Sequence, residues 1–139
     1  MNILLVDDDS VDRMAIVRSF RKHKIDCMIV ECENGQEALE ILLGNGNQPP
    51  PPRPFITLLD INMPVMNGIE YLNAVRMEED DKSIRDSVVF VLTTSSAEED
   101  KRQAYENGIA GYIVKSDFDA GFTNIVGMLD AYDSVVQYP

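Results

Sequence analysis

The sequence predicts an α/β fold in which five parallel strands form one doubly wound sheet with helices on both faces. Three observations support this prediction: short apolar runs alternate with helical patterns, polar residues follow each run directly, and neither an internal repeat nor a change of composition interrupts the series. Alternation of strand and helix is typical of a parallel sheet, because a helix returns the chain between neighbouring strands. At 139 residues the chain has the size of one domain, so we expect a single domain over 1–139.

Five apolar runs are the predicted strands, and each is short enough to be buried in a sheet. They cover Asn2–Val6, Met28–Val30, Phe55–Leu59, Val88–Leu92 and Gly111–Val114. Helical patterns lie between and after them, over 11–23, from 34, from 68 to about 77, over 96–108 and from 118 to 129. Asp9 is expected to cap the first helix, and capping boxes are predicted where Asn34 precedes Glu37 and Ser96 precedes Glu99.

Two segments lie outside this series of strands and helices. Residues 44–54 contain four consecutive prolines, which favour extended polyproline II and exclude a helix or an inner strand. We expect a stiff, proline-rich surface loop there, and a proline ligand for a partner is the alternative. Residues 78–87 are predicted to be a charged connector.

The composition of the chain argues against several classes of function. There are 24 acidic and 12 basic residues, giving a net charge of −12, which disfavours nucleic acid and anionic membranes as partners. No apolar run approaches the roughly 20 residues of a membrane helix, and no signal peptide is visible.

Cys27 and Cys32 would lie roughly 16 Å apart in one strand, too far for a disulfide, and reduced thiols fit a cytoplasmic protein.

Complementary polar groups follow four of the predicted strands. Asp7 and Asp8 come after the first, Asp60 after the third, Thr93 after the fourth and Lys115 after the fifth. The carboxyl ends of parallel strands meet at one edge, so these groups should share one shallow pocket. Clustered carboxylates repel one another, and an all-oxygen set of this kind suits Mg²⁺.

The same set fits phosphoryl transfer to a carboxylate. Magnesium needs further oxygen ligands, which a phosphate supplies, while a lysine ammonium and a threonine hydroxyl can both donate hydrogen bonds to phosphoryl oxygens. An aspartate can itself be the nucleophile and form an aspartyl-phosphate. Such a reaction needs mainly positioning and charge neutralisation.

Several motifs in order resemble the receiver domain of two-component response regulators. They are VDDD, LLDINMP followed by Gly68, LTTS and GYIVK, and the resemblance extends from Ile3 to about Leu129. It implies the flavodoxin-like strand order 2-1-3-4-5. The proline-rich loop and the long connector are similar to those of the stand-alone, phytochrome-associated type.

The resemblance also implies a role for each site residue. Asp60 would accept a phosphoryl group from a histidine kinase or a phosphotransfer protein. Asp8 would bind Mg²⁺ directly, together with Asp60 and the main-chain carbonyl of Asn62, and Asp7 through water. Thr93 and Lys115 would contact the phosphoryl group, and Thr93 and Tyr112 would form the switch.

The output is expected to be a protein–protein contact. We expect no DNA-binding or enzymatic output domain, because the sequence ends soon after the fifth predicted helix. A downstream protein target would use the face of the fourth helix, fifth strand and fifth helix, and the same face is the candidate surface for a homodimer. The protein is therefore expected to be a phosphoacceptor that assists its own phosphorylation and dephosphorylation, rather than an enzyme.

The sequence departs from the pattern of the family at one position, and three alternative functions are open. Lys115 is followed by Ser116, where the family usually has proline after a cis peptide, so the geometry of that loop is open. A Mg²⁺-dependent phosphohydrolase would place a second acid two residues after its nucleophile, where Asn62 stands. A flavin-binding module of the same sheet order would need a phosphate-binding loop in place of the first acids. A receiver that binds partners without being phosphorylated would not need the intact site.

Overall fold

The computed structural model describes residues 1–115 and 122–139 and confirms the predicted sheet. All five strands are parallel, in the order β2-β1-β3-β4-β5. The strands are β1 (Asn2–Val6), β2 (Met28–Cys32), β3 (Ile56–Leu59), β4 (Val88–Thr93) and β5 (Gly111–Val114). Their bounds differ from the predicted ones by at most two residues at an end.

Six helices occur in the described part of the chain, one more than predicted. They are α1 (Ser10–Lys22), α2 (Gly35–Leu42), α3 (Gly68–Arg76), α4 (Lys82–Arg85), α5 (Glu98–Glu106) and α6 (Thr123–Val135). The additional helix is α4, a single turn within the predicted charged connector, capped by the Asp81 carboxylate. The fourth and fifth helices predicted from the sequence are therefore α5 and α6.

Side chains of the sheet alternate between two apolar layers. Leu4 and Val6 of β1 face a layer formed with α2, α3, α4 and α5, whereas Ile3 and Leu5 face a layer formed with α1 and α6. This period of two follows from the pleat of a strand, and burial on both faces explains why the strands are almost continuously apolar. The doubly wound arrangement is as predicted.

The starts of three helices test the predicted caps. The Asp9 carboxylate accepts hydrogen bonds from the main-chain N–H groups of α1, and the Asn34 side chain accepts one from Glu37, as predicted. The predicted capping box at Ser96 is wrong, because Ala97 occupies the cap position of α5 and no side chain caps it. The last helix begins at Thr123, and its predicted start at 118 lies outside the described residues.

The amino-terminal end of the sheet is held by arginine side chains. Arg76, at the end of α3, donates hydrogen bonds to the carbonyl oxygens of Arg85 and Ser87 (both 2.8 Å) and of Asn107 (2.7 Å). Arg53 forms an ion pair with Asp81 at 2.8 Å. These contacts tie the connector and the loop after α5 to α3 and to the proline-rich loop.

The proline-rich loop contains neither helix nor strand, and most of it is exposed. Gln48 donates a hydrogen bond to the carbonyl oxygen of Glu31 in β2, and Asn2 donates one to the carbonyl oxygen of Pro54. Pro51 is buried. The loop is therefore attached to the protein at both ends. Within the described residues, no helix is long and apolar enough to cross a bilayer.

Candidate functional site

The hydrogen bonds of the sheet bring Asp7 and Asp60 side by side. Val6 pairs with Leu59 in the register of β1 and β3, and the ladder continues one residue further, since the Asp60 N–H donates to the carbonyl oxygen of Val6 at 2.9 Å. On the other side the Asp7 N–H donates to the carbonyl oxygen of Cys32 at 3.0 Å. Both aspartates are buried, with 2% and 7% of their surface exposed.

Asp7 is already well bonded within the protein. Its Oδ1 accepts a hydrogen bond from the Asp9 N–H at 2.9 Å, and its Oδ2 accepts one from Lys115 Nζ at 2.7 Å. Burial nevertheless raises the pKa of Asp7 to about 6, because the loss of hydration outweighs the hydrogen bonds from Lys115 and Asp9 that act in the opposite direction. The nearby Asp60 carboxylate raises it further.

Asp60 is positioned by the loop that follows it. Its Oδ1 accepts a hydrogen bond from the Ile61 N–H at 2.7 Å, and the Gly68 N–H donates to the carbonyl oxygen of Ile61 at 2.9 Å. A Cβ atom on Gly68 would overlap the carbonyl oxygen of Asp60, so only glycine allows this approach of α3 to the strand end. Asn62 lies in the same loop and is exposed. The role of its carbonyl remains a prediction.

Lys115 reaches the same point from the end of β5. Its Nζ lies 2.7 Å from an oxygen of Asp7, 2.7 Å from one of Asp12 and 3.6 Å from Oδ2 of Asp60. Burial alone would lower the pKa of Lys115, but the hydrogen bonds to Asp12 and Asp7 overcome that effect and raise it. The side chain is therefore a fixed positive charge beside three carboxylates.

The acidic groups meet the requirements of a divalent cation. One carboxylate oxygen each from Asp7, Asp8 and Asp60 lies within 4.8 Å of the others. Asp7 and Asp60 are buried and Asp8 is exposed, so the cluster is open on the side of Asp8. Burial raises the pKa of Asp7, and the neighbouring Asp60 carboxylate raises it further; a hard cation with oxygen ligands would favour the ionised form of both groups.

Thr93 and Tyr112 are connected through Ser95. Thr93 is fully buried at the end of β4, and its Oγ1 accepts a hydrogen bond from the Ser95 N–H at 3.2 Å. The Tyr112 hydroxyl donates to the carbonyl oxygen of Ser95 at 2.9 Å, and the Ser95 hydroxyl donates to Asp100 of α5 at 2.6 Å. Thr93 is therefore linked both to β5 and to α5.

The sequence interpretation missed two residues of α1 that contact the site. Asp12 pairs with Lys115, and Arg13 donates a hydrogen bond at 2.6 Å to the carbonyl oxygen of Asp7 while lying 3.3 Å from Glu31. The sequence feature that could have revealed these two residues is their position in the first turn of a helix that begins directly after the acidic end of β1. Their partners, however, are set by the packing of α1 against the sheet.

The comparison with protein families decides the assignment. Residues 3–125 match the family described as response regulator receiver domain. The chain belongs to this family. The receiver domain is a phosphoacceptor signalling module rather than a classical enzyme, and receiver domains have histidine kinases as partners.

Two relatives illustrate the similarity of this receiver domain in sequence. The probable methanogenesis regulatory protein FilR2 of Methanothrix harundinacea is 35% identical over 114 residues, which are 81% of this chain and 70% of the relative. Response regulator Rcp1 of Synechocystis sp. is 34% identical over 114 residues, covering 82% of this chain and 76% of the relative.

Solved structures give the same result for the fold. The Mn²⁺-bound form of Rcp1 superposes with a TM-score of 0.81 at 27% identity, covering 99% of this chain and 98% of that one. The phosphorylated cyanobacterial phytochrome response regulator RcpA superposes with a TM-score of 0.83 at 27% identity, covering 99% and 97%. This receiver domain is therefore similar to phytochrome-associated regulators, and its acidic cluster could hold a divalent metal.

Proposed function

We propose that this receiver domain accepts a phosphoryl group on Asp60 from a phosphohistidine donor, in a Mg²⁺-dependent reaction, and signals through a phosphorylation-dependent protein contact. The observation that carries the proposal is the convergence of the acidic cluster of Asp7, Asp8 and Asp60 with Lys115 at one strand edge. A buried carboxylate beside an ammonium, with one side open, is what an in-line attack on a phosphoryl group requires.

The metal would be held by Asp8, Asp60 and the main-chain carbonyl of Asn62, with Asp7 acting through water. The indirect role of Asp7 is supported by its contacts, because both of its oxygens already accept hydrogen bonds from within the protein. When bound, Mg²⁺ would neutralise the carboxylates and the incoming phosphoryl oxygens.

The residues of the chain then perform the transfer. An oxygen of Asp60 forms the bond to phosphorus as the phosphorus–nitrogen bond breaks, and the electron pair stays on the imidazole of the donor. The Ile61 N–H fixes the orientation of the Asp60 carboxylate through its Oδ1. Lys115 stabilises the added negative charge, and the Thr93 hydroxyl turns to the phosphoryl oxygens.

The signal would leave the site through Thr93. Movement of its hydroxyl changes the acceptor of the Ser95 N–H, and Ser95 is hydrogen-bonded to both Tyr112 and Asp100. This supports the face of α5, β5 and α6 as the surface that a downstream protein, or a second copy of the chain, reads. Tyr105 of α5 lies half-exposed on it and lines a groove with Tyr112 and Met128.

Radiolabelled acetyl phosphate tests the site assignment directly. With Mg²⁺ present, we expect the wild-type protein to be labelled with acid-stable, base-labile phosphate and the Asp60→Asn variant to remain unlabelled, because the amide is not a nucleophile. The matched control is Asp130→Asn, an exposed acid of α6 that should label like the wild type. Undiminished labelling of Asp60→Asn would disprove the assignment.

A further inference from the structure

Lys115 divides its contacts unequally among three carboxylates. An ammonium has three N–H donors. Two of them serve Asp7 and Asp12, each at 2.7 Å, whereas Asp60 lies at 3.6 Å, beyond ordinary hydrogen-bond length. The cation is therefore held nearer to α1 than to the carboxylate that it is expected to serve.

Asp12 differs from the other two carboxylates in position and environment. Asp7 and Asp60 belong to the acidic cluster at the strand ends, but Asp12 is not a member of it. Its side chain is 26% exposed, whereas those of Asp7, Asp60 and Lys115 are almost fully buried. Water can therefore hydrate Asp12 when it loses its partner, which makes this contact the cheapest of the three to break.

We propose that Asp12 is a positioning residue that holds the Lys115 ammonium away from Asp60 in the unphosphorylated protein and releases it when Asp60 carries a phosphoryl group. This inference rests on the proposed function of Asp60. Phosphorylation adds acceptor oxygens beside Asp60, and the ammonium must move toward them, away from Asp12, to bring its third donor within hydrogen-bond distance. Asp12 and the phosphoryl group then compete for one cation. The first turn of α1 thereby becomes sensitive to the state of the site.

The test is the affinity for beryllofluoride, which mimics a phosphoryl group on a carboxylate, measured by fluorine NMR at saturating Mg²⁺. Asp12→Asn should bind it roughly two- to fivefold more tightly than the wild type, the range expected for loss of a partly exposed ion pair. Asp12→Glu keeps the charge and should stay close to the wild-type affinity. The melting temperature of each variant shows that it is folded.

Glu98→Gln separates local competition from a general charge effect. Glu98 is exposed in the first turn of α5, at the same end of the sheet, and is not one of the carboxylates that contact Lys115. The Glu98→Gln substitution should leave the affinity for beryllofluoride unchanged. An unchanged or weaker affinity of Asp12→Asn, or an equal gain in Glu98→Gln, would overturn the role of Asp12 alone. A wild-type protein that binds no beryllofluoride would overturn the proposed function and this inference together.

Discussion

The buried carboxyl of Asp7 is expected to reduce the stability of the metal-free protein once it is ionised. This carboxyl is buried among other acids, and burial raises its pKa to about 6 from an ordinary value near 4. The folded protein therefore binds this proton more tightly than the unfolded chain does. The contribution of Asp7 to the free energy of unfolding falls as the pH rises from about 4 through about 6, because the folded state must then ionise a buried group.

We expect Asp7→Asn to stabilise the metal-free protein at pH 7 by about 1–3 kcal/mol. Asparagine removes the buried charge but can still accept a hydrogen bond from Lys115. Urea denaturation in EDTA measures the effect, and it should shrink at pH 4 and in Mg²⁺. Asp130→Asn, an exposed change of the same type, should alter stability little. A loss of stability in Asp7→Asn would contradict the expected balance between burial and pairing.

Thr93 is expected to be needed for the structural response to phosphorylation but not for phosphorylation itself. Thr93→Ala removes the hydroxyl but leaves the carboxylates and Lys115 in place, so labelling by acetyl phosphate should remain largely intact. The response of α5 and β5 to beryllofluoride should be reduced, as measured by hydrogen exchange. Thr93→Ser retains the hydroxyl and serves as the control. Equal responses in wild type and Thr93→Ala would remove Thr93 from the switch.

At the scale of elements, the loop between β3 and α3 sets the position of Asp60. Gly68 begins α3 where the helix touches the carbonyl oxygen of Asp60, and Asn67 caps the helix in a complete capping box with Glu70. The loop, the cap of α3 and Asp60 are therefore joined by direct contacts. A substitution in the loop between β3 and α3 should therefore alter the position of Asp60 as well as the stability of the protein.

Gly68→Ala should lower the free energy of unfolding by roughly 1–3 kcal/mol and slow labelling by acetyl phosphate, since its Cβ would displace the main chain at Asp60. Gly127→Ala is the matched control: a Cβ there has no neighbour within 4 Å, and alanine in the middle of α6 should stabilise by about 0.5–1 kcal/mol. Chemical denaturation and labelling rates measure both effects. Normal labelling in Gly68→Ala would show that the loop tolerates displacement.

The elements also show which features a sequence can predict. Strand positions and order could be expected, because buried strands are continuous apolar runs and the family motifs end them. The single turn α4 is too short for a helical period to reveal. The cap of α5 could not be read from Ser96, because Ala97 takes the extended conformation at that position and Ser95 bonds Asp100 instead. Lys115 and Asp12 are 103 residues apart, so their pairing depends on tertiary packing.

At the scale of the whole molecule, ligand binding at the strand edge should stabilise the entire domain. The site gathers residues that directly follow β1, β3 and β5, together with Asp12 of α1, so it exists only in the folded chain. A ligand that binds only the folded state at 100 times its dissociation constant adds about 2.7 kcal/mol to stability. Mg²⁺ together with beryllofluoride should therefore raise the melting temperature by roughly 10 °C at that excess.

Asp60→Asn provides the control. In this variant, beryllofluoride should no longer raise the melting temperature above the value reached with Mg²⁺ alone. Differential scanning fluorimetry with each ligand alone and with both measures the two increments separately. A melting temperature that does not respond to the combination in the wild-type protein would contradict the proposed site.

The arginine contacts at the amino-terminal end of the sheet have a practical consequence for following the switch. Arg76 holds the connector and the loop after α5 by several carbonyl oxygens, at the end opposite the acidic cluster. A fluorophore on exposed Met77 should therefore report only tumbling and serve as an internal reference. A fluorophore on Tyr105 of α5 should change its emission with phosphorylation, so the ratio of the two signals would follow signalling in real time.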